Sequence, residues 1–377
     1  FHKDTTNTSF SPSETQATSN FDDRCLALSY GSLQLLNHWQ IWPELKPHAW
    51  PIKTIITSDR GHIGKTIMRA PDYGLNAMGH VAAMKNMGQA FTKTLSRLSA
   101  SLNKSITWFC PDSIQTVQQS KQQITVELTS GIAVSAGLLV VAEGGNSPTR
   151  QALQIGTSTE QYKQSAIITN VEVKPSKQLK QYTAFERFTT SGPIAFLPIG
   201  EQQYSVVWTV KPDEVSDIMH LPEGDFIAQL QQAFGFAAGK IIKMSPPSAY
   251  PLSLIKAEQL IHDRVVFIGN SAHTIHPIAG QGFNLGLRDV AVLVQQIRRA
   301  VEEGRDIGAF EVLANFQQLR EQDITRIAGF TDTLVRAFAI EGRPAAALRT
   351  LGLMTLQKCN SLQQWLAIHF MSSKQLI

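Results

Sequence analysis

The amino-acid sequence predicts a mixed α/β fold of the α+β kind, and three observations lead to this prediction. Apolar strands alternate with amphipathic helices towards both ends of the chain. Most segments between residues 166 and 208 have the composition of strands, and the residues after 304 have helical spacing. We therefore expect an α/β domain that is interrupted by a mostly antiparallel β-sheet domain and followed by C-terminal helices.

Hydrophobic period and turn residues place the individual elements. Apolar residues three or four apart predict helices, runs of β-branched residues predict strands, and Gly304 marks the end of a long helix. In chain order we expect helix 23–42, strands 52–59 and 62–70 around the turn "DRG", helix 87–101, strands 105–110 and 123–144, strands within 166–208, helix 223–239, strand 264–269 and helix 283–304.

Composition excludes several classes of protein. A chain of 377 residues with 43% hydrophobic residues can bury more than one core. A net charge of +4 without any run of five basic residues argues against a nucleic-acid surface. Cys25, Cys110 and Cys359 are far apart and form no CxxC pair, which suits a reducing cytoplasm and argues against a disulfide framework or a metal site.

The stretch "VVFIGNSAHTIHPIAGQGFNLGLRD", residues 265–289, runs from an apolar strand through a loop into a helix. Ligands of open α/β sheets lie beyond the carboxyl ends of such strands. Gly280 and Gly282 permit positive φ or close backbone approach, and the helix start near Phe283 offers free N–H groups to an electron-rich group. A tight turn whose glycines only pack is the alternative that this pattern leaves open.

The same residues resemble the second flavin-binding motif of the class A flavoprotein aromatic hydroxylases, which have the para-hydroxybenzoate hydroxylase fold. The motif is matched by Gly269, Ala272, His273, Pro277, Gly280, Gln281, Gly282, Asn284, Gly286 and Asp289. Asn270 replaces the aspartate of most of the superfamily. The "GN" pair with "HPIAGQGFNLG" is similar to the ubiquinone-biosynthesis branch, the 2-polyprenyl-6-methoxyphenol hydroxylases.

Further segments resemble the same family, so that the resemblance covers residues 21–371. "VVAEGGNSPTR" resembles the DGxxSxxR motif, which links the flavin site to the nicotinamide path, with Glu143 in place of aspartate. "FDDRCLAL" and "VAAMKNMGQ" resemble the segments whose arginine and glutamine, here Arg24 and Gln89, reach the flavin. The resemblance therefore implies that FAD is bound by Arg24, Gln89, Glu143, Gly144, Ser147, Arg150, Gly269, Asn270, Gly280, Gln281, Gly282, Phe283 and Asn284.

The resemblance also implies a domain organisation. A Rossmann-like FAD-binding domain, incomplete at its N-terminus, is interrupted by a substrate-binding β-sheet domain. The expected boundaries are 1–50, 81–155 and 258–315 for the FAD-binding domain, 51–80 and 156–257 for the sheet domain, and 316–377 for a C-terminal helical region.

The activity implied by the resemblance is hydroxylation of the aromatic ring of a polyprenylated methoxyphenol in ubiquinone biosynthesis. NADPH reduces FAD, O₂ forms a C4a-hydroperoxyflavin, and one oxygen atom passes to the ring. Catalytic roles are expected for the N–H groups at Gly282, for the Pro277 loop beside the reacting flavin edge, and for His273 and His276 as proton shuttles. Loop histidines also commonly anchor backbone groups, and that alternative stays open.

Two other functions stay open: a flavin-dependent prenyl-lipid reductase of the geranylgeranyl reductase type, and a non-catalytic scaffold subunit of a quinone-biosynthesis complex. A lipid-soluble substrate would suit a cytoplasmic protein with peripheral contact to the inner membrane, and "SLQQWLAIHFM", residues 361–371, is a candidate for that contact or for packing. Subunits of a biosynthetic complex and further copies of the chain are the partners considered.

The sequence contains no GxGxxG followed by a helix, the motif that holds the FAD pyrophosphate. We expect the chain to lack about 35–40 residues of this fingerprint, and hence a cradle of charge-assisted hydrogen bonds worth ~1.5–3 kcal/mol each. Loss of two such bonds weakens binding roughly a hundredfold or more. Residues 1–377 purified alone should therefore carry no flavin absorbance and should not hydroxylate, whereas stoichiometric yellow flavin would contradict this expectation.

Overall fold

The computed structural model describes residues 24–102, 106–174, 181–275, 280–339 and 350–352, together with residues 355, 357 and 359. The strands are β1 Cys25–Ser29, β2 Ala49–Ile52, β3 Thr54–Asp59, β4 Lys65–Arg69, β5 Gly79–Ala83, β6 Ile114–Gln119, β7 Ile124–Leu128, β8 Ala133–Ala136, β9 Leu139–Val141, β10 Thr157–Lys174, β11 Thr183–Thr189, β12 Gly192–Pro198, β13 Gln203–Val210, β14 Lys240–Met244, β15 Ser248–Ala257, β16 Ile261–His262, β17 Val265–Phe267 and β18 His273–Thr274. The helices are α1 Tyr30–His38, α2 Trp42–Leu45, α3 Met84–Leu102, α4 Pro148–Ala152, α5 Val215–Met219, α6 Glu223–Phe234, α7 Gln281–Glu302 and α8 Phe310–Ala339.

A nine-stranded sheet forms the largest layer, with the order β18-β15-β10-β13-β12-β11-β3-β4 and β14 paired to β10. Its pairings are antiparallel except for β3 with β11. Alternate residues of β13, namely Tyr204, Val206 and Trp208, lie in one buried cluster with residues of α5 and α6. The pairings confirm the predicted mostly antiparallel sheet, and the period of two places one face of β13 against the helices.

A second layer contains the buried strand of the 265–289 stretch. β17 runs parallel to β9, with Val265 opposite Leu139 and Phe267 opposite Val141. Residues of β17, α7 and α8 form one core in which Phe267 and Phe316 are fully buried. The three consecutive apolar residues of β17 are all buried, as is typical of a strand covered on both faces.

A third, small sheet has the order β1-β5-β2 and carries α1, α2 and α3. The predicted helix over 23–42 is wrong at its start, because Cys25–Ser29 pairs with β5 as a strand. Helix α1 begins only after Ser29, whose hydroxyl accepts a hydrogen bond from the Ser32 N–H. These five residues form a strand because they pair with β5, although the leucines from Leu28 onwards have helical spacing.

The predicted strand over 105–110 is also wrong. Residues 106–110 pair with no strand in the part of the chain that the structure describes, and the Trp108 side chain is 68% exposed. A β-rich composition does not form a strand without a neighbouring ladder. Helix α6 ends at Phe234, short of residue 239, because Gly235 takes a φ of 83°.

None of the helices in the described segments is both long enough and apolar enough to cross a bilayer.

His80 in β5 has a half-buried ring that packs edge-on against Trp42, with the ring centroids 4.9 Å apart. Burial, and then the charge of Lys46, lowers the pKa of His80 to about 4. The folded state therefore favours the neutral ring, whereas the unfolded chain takes up a proton near pH 6.5. The contribution of His80 to the free energy of unfolding is complete above this unfolded pKa and is lost as the pH falls towards 4.

Replacing His80 by Phe should therefore flatten the fall in the free energy of unfolding between about pH 6.5 and pH 4, by about 1–2 kcal/mol after allowance for the partial exposure of the ring. Urea unfolding at a series of pH values measures this. His48→Gln, at an exposed histidine, is the matched control and should keep the wild-type slope. An unchanged slope in His80→Phe would contradict the account.

Candidate flavin site

Four of the residues predicted to bind a cofactor lie at the carboxyl ends of two adjacent parallel strands. Glu143 and Gly144 follow β9, and Gly269 and Asn270 follow β17. The Ser271 hydroxyl donates to the Gly144 carbonyl at 3.1 Å, so the two loops are joined. This is the edge of a parallel sheet at which ligands bind in open α/β folds.

The loop after β9 is held by Glu143. Its carboxylate accepts hydrogen bonds from the Ser147 hydroxyl, from the Thr149 N–H at 2.7 Å and from the Thr149 hydroxyl at 3.0 Å. The replacement of the family's aspartate by glutamate thus leaves a carboxylate that holds the start of α4. Gly144 beside it takes a φ of 92°, a conformation that favours glycine.

Arg150 bridges the two loops from a buried position. Its guanidinium donates to the Ser271 carbonyl at 2.7 Å and to the Gly145 carbonyl at 2.8 Å. Ser147 accepts from the Arg150 N–H at 3.2 Å and so begins α4. Both side chains, which the sequence analysis assigned to cofactor binding, contact protein groups here and fix the geometry of the loops.

Asp289 on α7 lies behind the second loop and is 1% exposed. One carboxylate oxygen accepts from the Gly269 N–H at 2.8 Å and from His273 Nε2 at 2.7 Å, and the other accepts from Arg320 Nε at 2.8 Å. Burial alone would raise the pKa of Asp289, but the hydrogen bond from His273 and the positive charge of Arg320 outweigh it. The pKa therefore lies below its ordinary value, and the carboxylate is charged.

His273, predicted as a proton shuttle or an anchor, is thus placed in a buried hydrogen bond to Asp289 with 1% of its surface exposed. An anchoring role fits this position better than contact with substrate. The other two predicted catalytic residues of the loop, His276 and Pro277, lie outside the described residues.

The two glycines at the start of α7 differ in what they require. Gly280 takes a φ of 61°, and a Cβ there would lie 3.0 Å from the Ala27 Cβ. The backbone and the packing against β1 therefore both demand glycine at this position. A Cβ at Gly282 would meet only the Ile275 Cγ1 atom at 3.9 Å, so among the described residues nothing excludes a larger side chain.

The Asn284 side chain is engaged by the protein. It is 1% exposed, and all its hydrogen-bonding capacity is used by protein groups. Its amide donates to the Ala27 carbonyl at 2.9 Å and the Gly280 carbonyl at 2.7 Å. Its oxygen accepts from the Ser29 N–H at 2.9 Å and the Ser32 hydroxyl at 2.7 Å. Asn284 therefore joins α7 to β1 and α1.

The remaining predicted residues reach the surface or its margin. Arg24 is exposed, bonds to the Tyr250 hydroxyl and lies 4.5 Å from the centroid of the Tyr250 ring. Asn270 and Gln89 are exposed, while Phe283 is partly buried at the first turn of α7. Gln281, two residues before Phe283, is the exception and is buried, with 4% exposure.

These features fit the isoalloxazine half of FAD. The site combines glycine-bearing loops, the carboxyl ends of two parallel strands and the N-terminus of a 22-residue helix. Such a helix start favours electron-rich groups, and Gly282 presents no Cβ between its backbone and a ligand.

Arg320 is the residue that the sequence analysis missed. It belongs to no motif used above, yet its side chain is 2% exposed and pairs with Asp289 and Asp323. A signal was present, because Leu313, Phe316 and Ile324 form the buried stripe of α8 and Arg320 occupies the next position of that stripe. A buried arginine at such a position needs a carboxylate partner.

Comparisons with known proteins agree with this site. The model of a family described as the FAD binding domain matches residues 14–320. The chain therefore belongs to this flavoprotein family, and the predicted monooxygenase class is confirmed.

The chain is more particularly similar to proteins of the branch suggested by its motifs. It is 32% identical to ubiquinone hydroxylase UbiL of Rhodospirillum rubrum, over 94% of this chain and 81% of that protein. It is 26% identical to the human mitochondrial ubiquinone biosynthesis monooxygenase COQ6, over 91% and 79% of the two chains. The predicted resemblance to the class A hydroxylases of ubiquinone biosynthesis is thereby confirmed.

The fold also has a counterpart among solved structures. The crystal structure of p-nitrophenol 4-monooxygenase PnpA from Pseudomonas putida DLL-E4 superimposes with a TM-score of 0.76 at 15% identity, over 96% of this chain and 91% of that one. This likeness shows the shared architecture.

Replacing Gly282 by Val should lower FAD affinity. The melting temperature should fall by no more than it does for a Gly→Val change at another helical position. The protein leaves room for the new side chain, and a Cβ blocks the close approach of a ligand. Titration of apoprotein with FAD, followed by flavin fluorescence, measures the affinity. Gly329→Val in α8, where a Cβ meets nothing within 4 Å, is the control and should bind FAD normally. Equal affinities for the two variants would leave only a packing role for Gly282.

Proposed function

We propose that this protein hydroxylates the aromatic ring of a polyprenylated methoxyphenol during ubiquinone biosynthesis, using FAD, NAD(P)H and O₂. The observation that carries the proposal is the loop-and-helix motif over 269–289, placed at the carboxyl ends of β9 and β17. The relatives named as ubiquinone hydroxylase and ubiquinone biosynthesis monooxygenase support the same reaction. They favour a hydroxylase over the prenyl-lipid reductase and the scaffold subunit.

In the proposed reaction, bound FAD supplies redox chemistry that amino-acid side chains cannot perform. Two electrons from NAD(P)H and a proton are consumed with one O₂ for each ring. One oxygen atom replaces a ring hydrogen as a hydroxyl group, and the other leaves as water.

The protein contributes electrostatics and shielding. The N–H groups of Gly282 and Phe283 lie at the positive end of α7 and can stabilise negative charge on a reduced electron-rich group. Asn284 ties the residue that precedes α7 to β1 through the carbonyls of Gly280 and Ala27, and Asp289 holds the neighbouring turn at Gly269. A buried site would also keep water from the reacting atoms. We retain Pro277 as part of the wall beside the substrate ring, and we assign positioning instead of proton transfer to His273.

We also propose the domain organisation given above, with the nine-stranded sheet supplying the substrate side. We propose NADPH as reductant, with the Glu143–Arg150 loop on its path. A polyprenylated substrate partitions into lipid, so we propose peripheral contact of this protein with the membrane, alone, as a homo-oligomer or within a biosynthetic complex.

Supplying the FAD-loaded protein with NADPH and a polyprenylated methoxyphenol under ¹⁸O₂ should give a product that carries one labelled oxygen atom. Product mass spectrometry measures the label, and the control under ¹⁶O₂ and H₂¹⁸O should give none. A product with two added hydrogens and no oxygen would instead indicate the reductase, and absence of any NADPH consumption would indicate the scaffold.

A further inference from the structure

We propose that Arg320 of α8 is a positioning residue for the cofactor loop over 269–275, and that it acts through Asp289. The inference rests on the proposed function only in taking this loop to be part of the flavin site. It assigns a role to a side chain outside every motif of that site.

The two oxygens of the Asp289 carboxylate accept hydrogen bonds from different parts of the molecule. Arg320 Nε holds one oxygen at 2.8 Å. This leaves the other oxygen to accept both the Gly269 N–H at 2.8 Å and His273 Nε2 at 2.7 Å. The two donors lie at the first residue of the loop and four residues further on, so one oxygen fixes both parts of the turn.

Arg320 is itself held from several sides. Its Nη1 donates to Asp323 at 2.6 Å, and Asp323 also accepts from Arg288 at 3.0 Å. The two arginines and two aspartates alternate between α7 and α8 and balance in charge. Burial lowers the pKa of Arg288, and the nearby Asp323 opposes that shift. A neutral residue at position 320 would therefore leave an excess of negative charge in this cluster.

The loop that Asp289 fixes is also joined to the substrate side of the molecule. His273 in β18 lies opposite Lys256 in β15, at one edge of the nine-stranded sheet. Helix α8 contacts β11 and β12 of the same sheet. Arg320 thus sits where the cofactor loop, α7 and the helix that reaches the sheet meet.

Without Arg320 the Asp289 carboxylate could rotate, and its two loop donors would lose their common acceptor. The effect should not reach the core around β13, because that core contains no residue of α7 or α8. A purely structural role would instead loosen the whole fold. This difference separates the two interpretations.

The experiment is hydrogen–deuterium exchange on the apoprotein, with Arg320→Lys and Arg320→Met. Exchange in peptides that cover residues 266–275 should accelerate about tenfold or more, as expected for loss of a hydrogen bond to a charged group, while peptides that cover β13 should be unchanged. FAD affinity should fall by about the same factor. The visible circular dichroism of the flavin that still binds should change, because its surroundings are less fixed.

Asp323→Asn is the matched control, since it neutralises the other partner of Arg320 and leaves the Arg320–Asp289 bond in place. In this variant, amide exchange in the 266–275 peptides should stay near the wild-type rate. If Arg320→Met does not fold, Arg320→Lys and Asp289→Asn decide, because each keeps a polar group of similar size and both should loosen the same peptides. Equal acceleration in the loop and in β13, or none in either, would overturn the proposal. These measurements need no turnover, so a failed oxygen-labelling experiment would refute the proposed reaction and leave this inference standing.

Discussion

A single buried carboxylate, that of Asp289, holds together the parts from which the candidate site is built. It accepts hydrogen bonds from Gly269 in the turn after β17, from His273 in β18 and from Arg320 in α8, all at 2.7–2.8 Å. A charged group with 1% exposure is costly unless it is paired, and removing one partner of such a pair typically costs about 3–5 kcal/mol. The arrangement therefore resists partial change and keeps the turn after β17 in one conformation.

Asn284 performs the corresponding task one turn earlier in α7. Its amide joins the helix start to β1 and α1 through three hydrogen bonds, and a fourth goes to the Gly280 carbonyl. Gly280 between loop and helix has no alternative, because its left-handed φ and the nearby Ala27 exclude a side chain. The N-terminus of α7 is thus fixed against β1 and α1. This division between anchoring and ligand-facing residues is the physical basis of the proposed site.

The sequence predicted the fold class, the antiparallel sheet and the long helix α7, because each leaves a strong period in a single segment. It mispredicted Cys25–Ser29 and residues 105–110, where the outcome depends on whether a distant strand supplies a partner. The predicted strand over 264–269 and helix over 283–304 match β17 and α7. The motif could not separate residues that face a ligand from those that hold the loop, since Asn284 and Arg150 look equally polar in the sequence. Arg320 was missed because its partner lies 31 residues away on another helix.

The central claim is that FAD lies with its isoalloxazine ring against the N-terminus of α7, beyond the carboxyl ends of β9 and β17. A crystal structure of the protein with bound FAD tests it most directly, through the distance between the flavin pyrimidine edge and the Gly282 and Phe283 N–H groups. The account predicts hydrogen-bond distance, about 3 Å, with the ring over Gly282. A ring bound elsewhere, with the N-terminus of α7 filled by solvent, would contradict it.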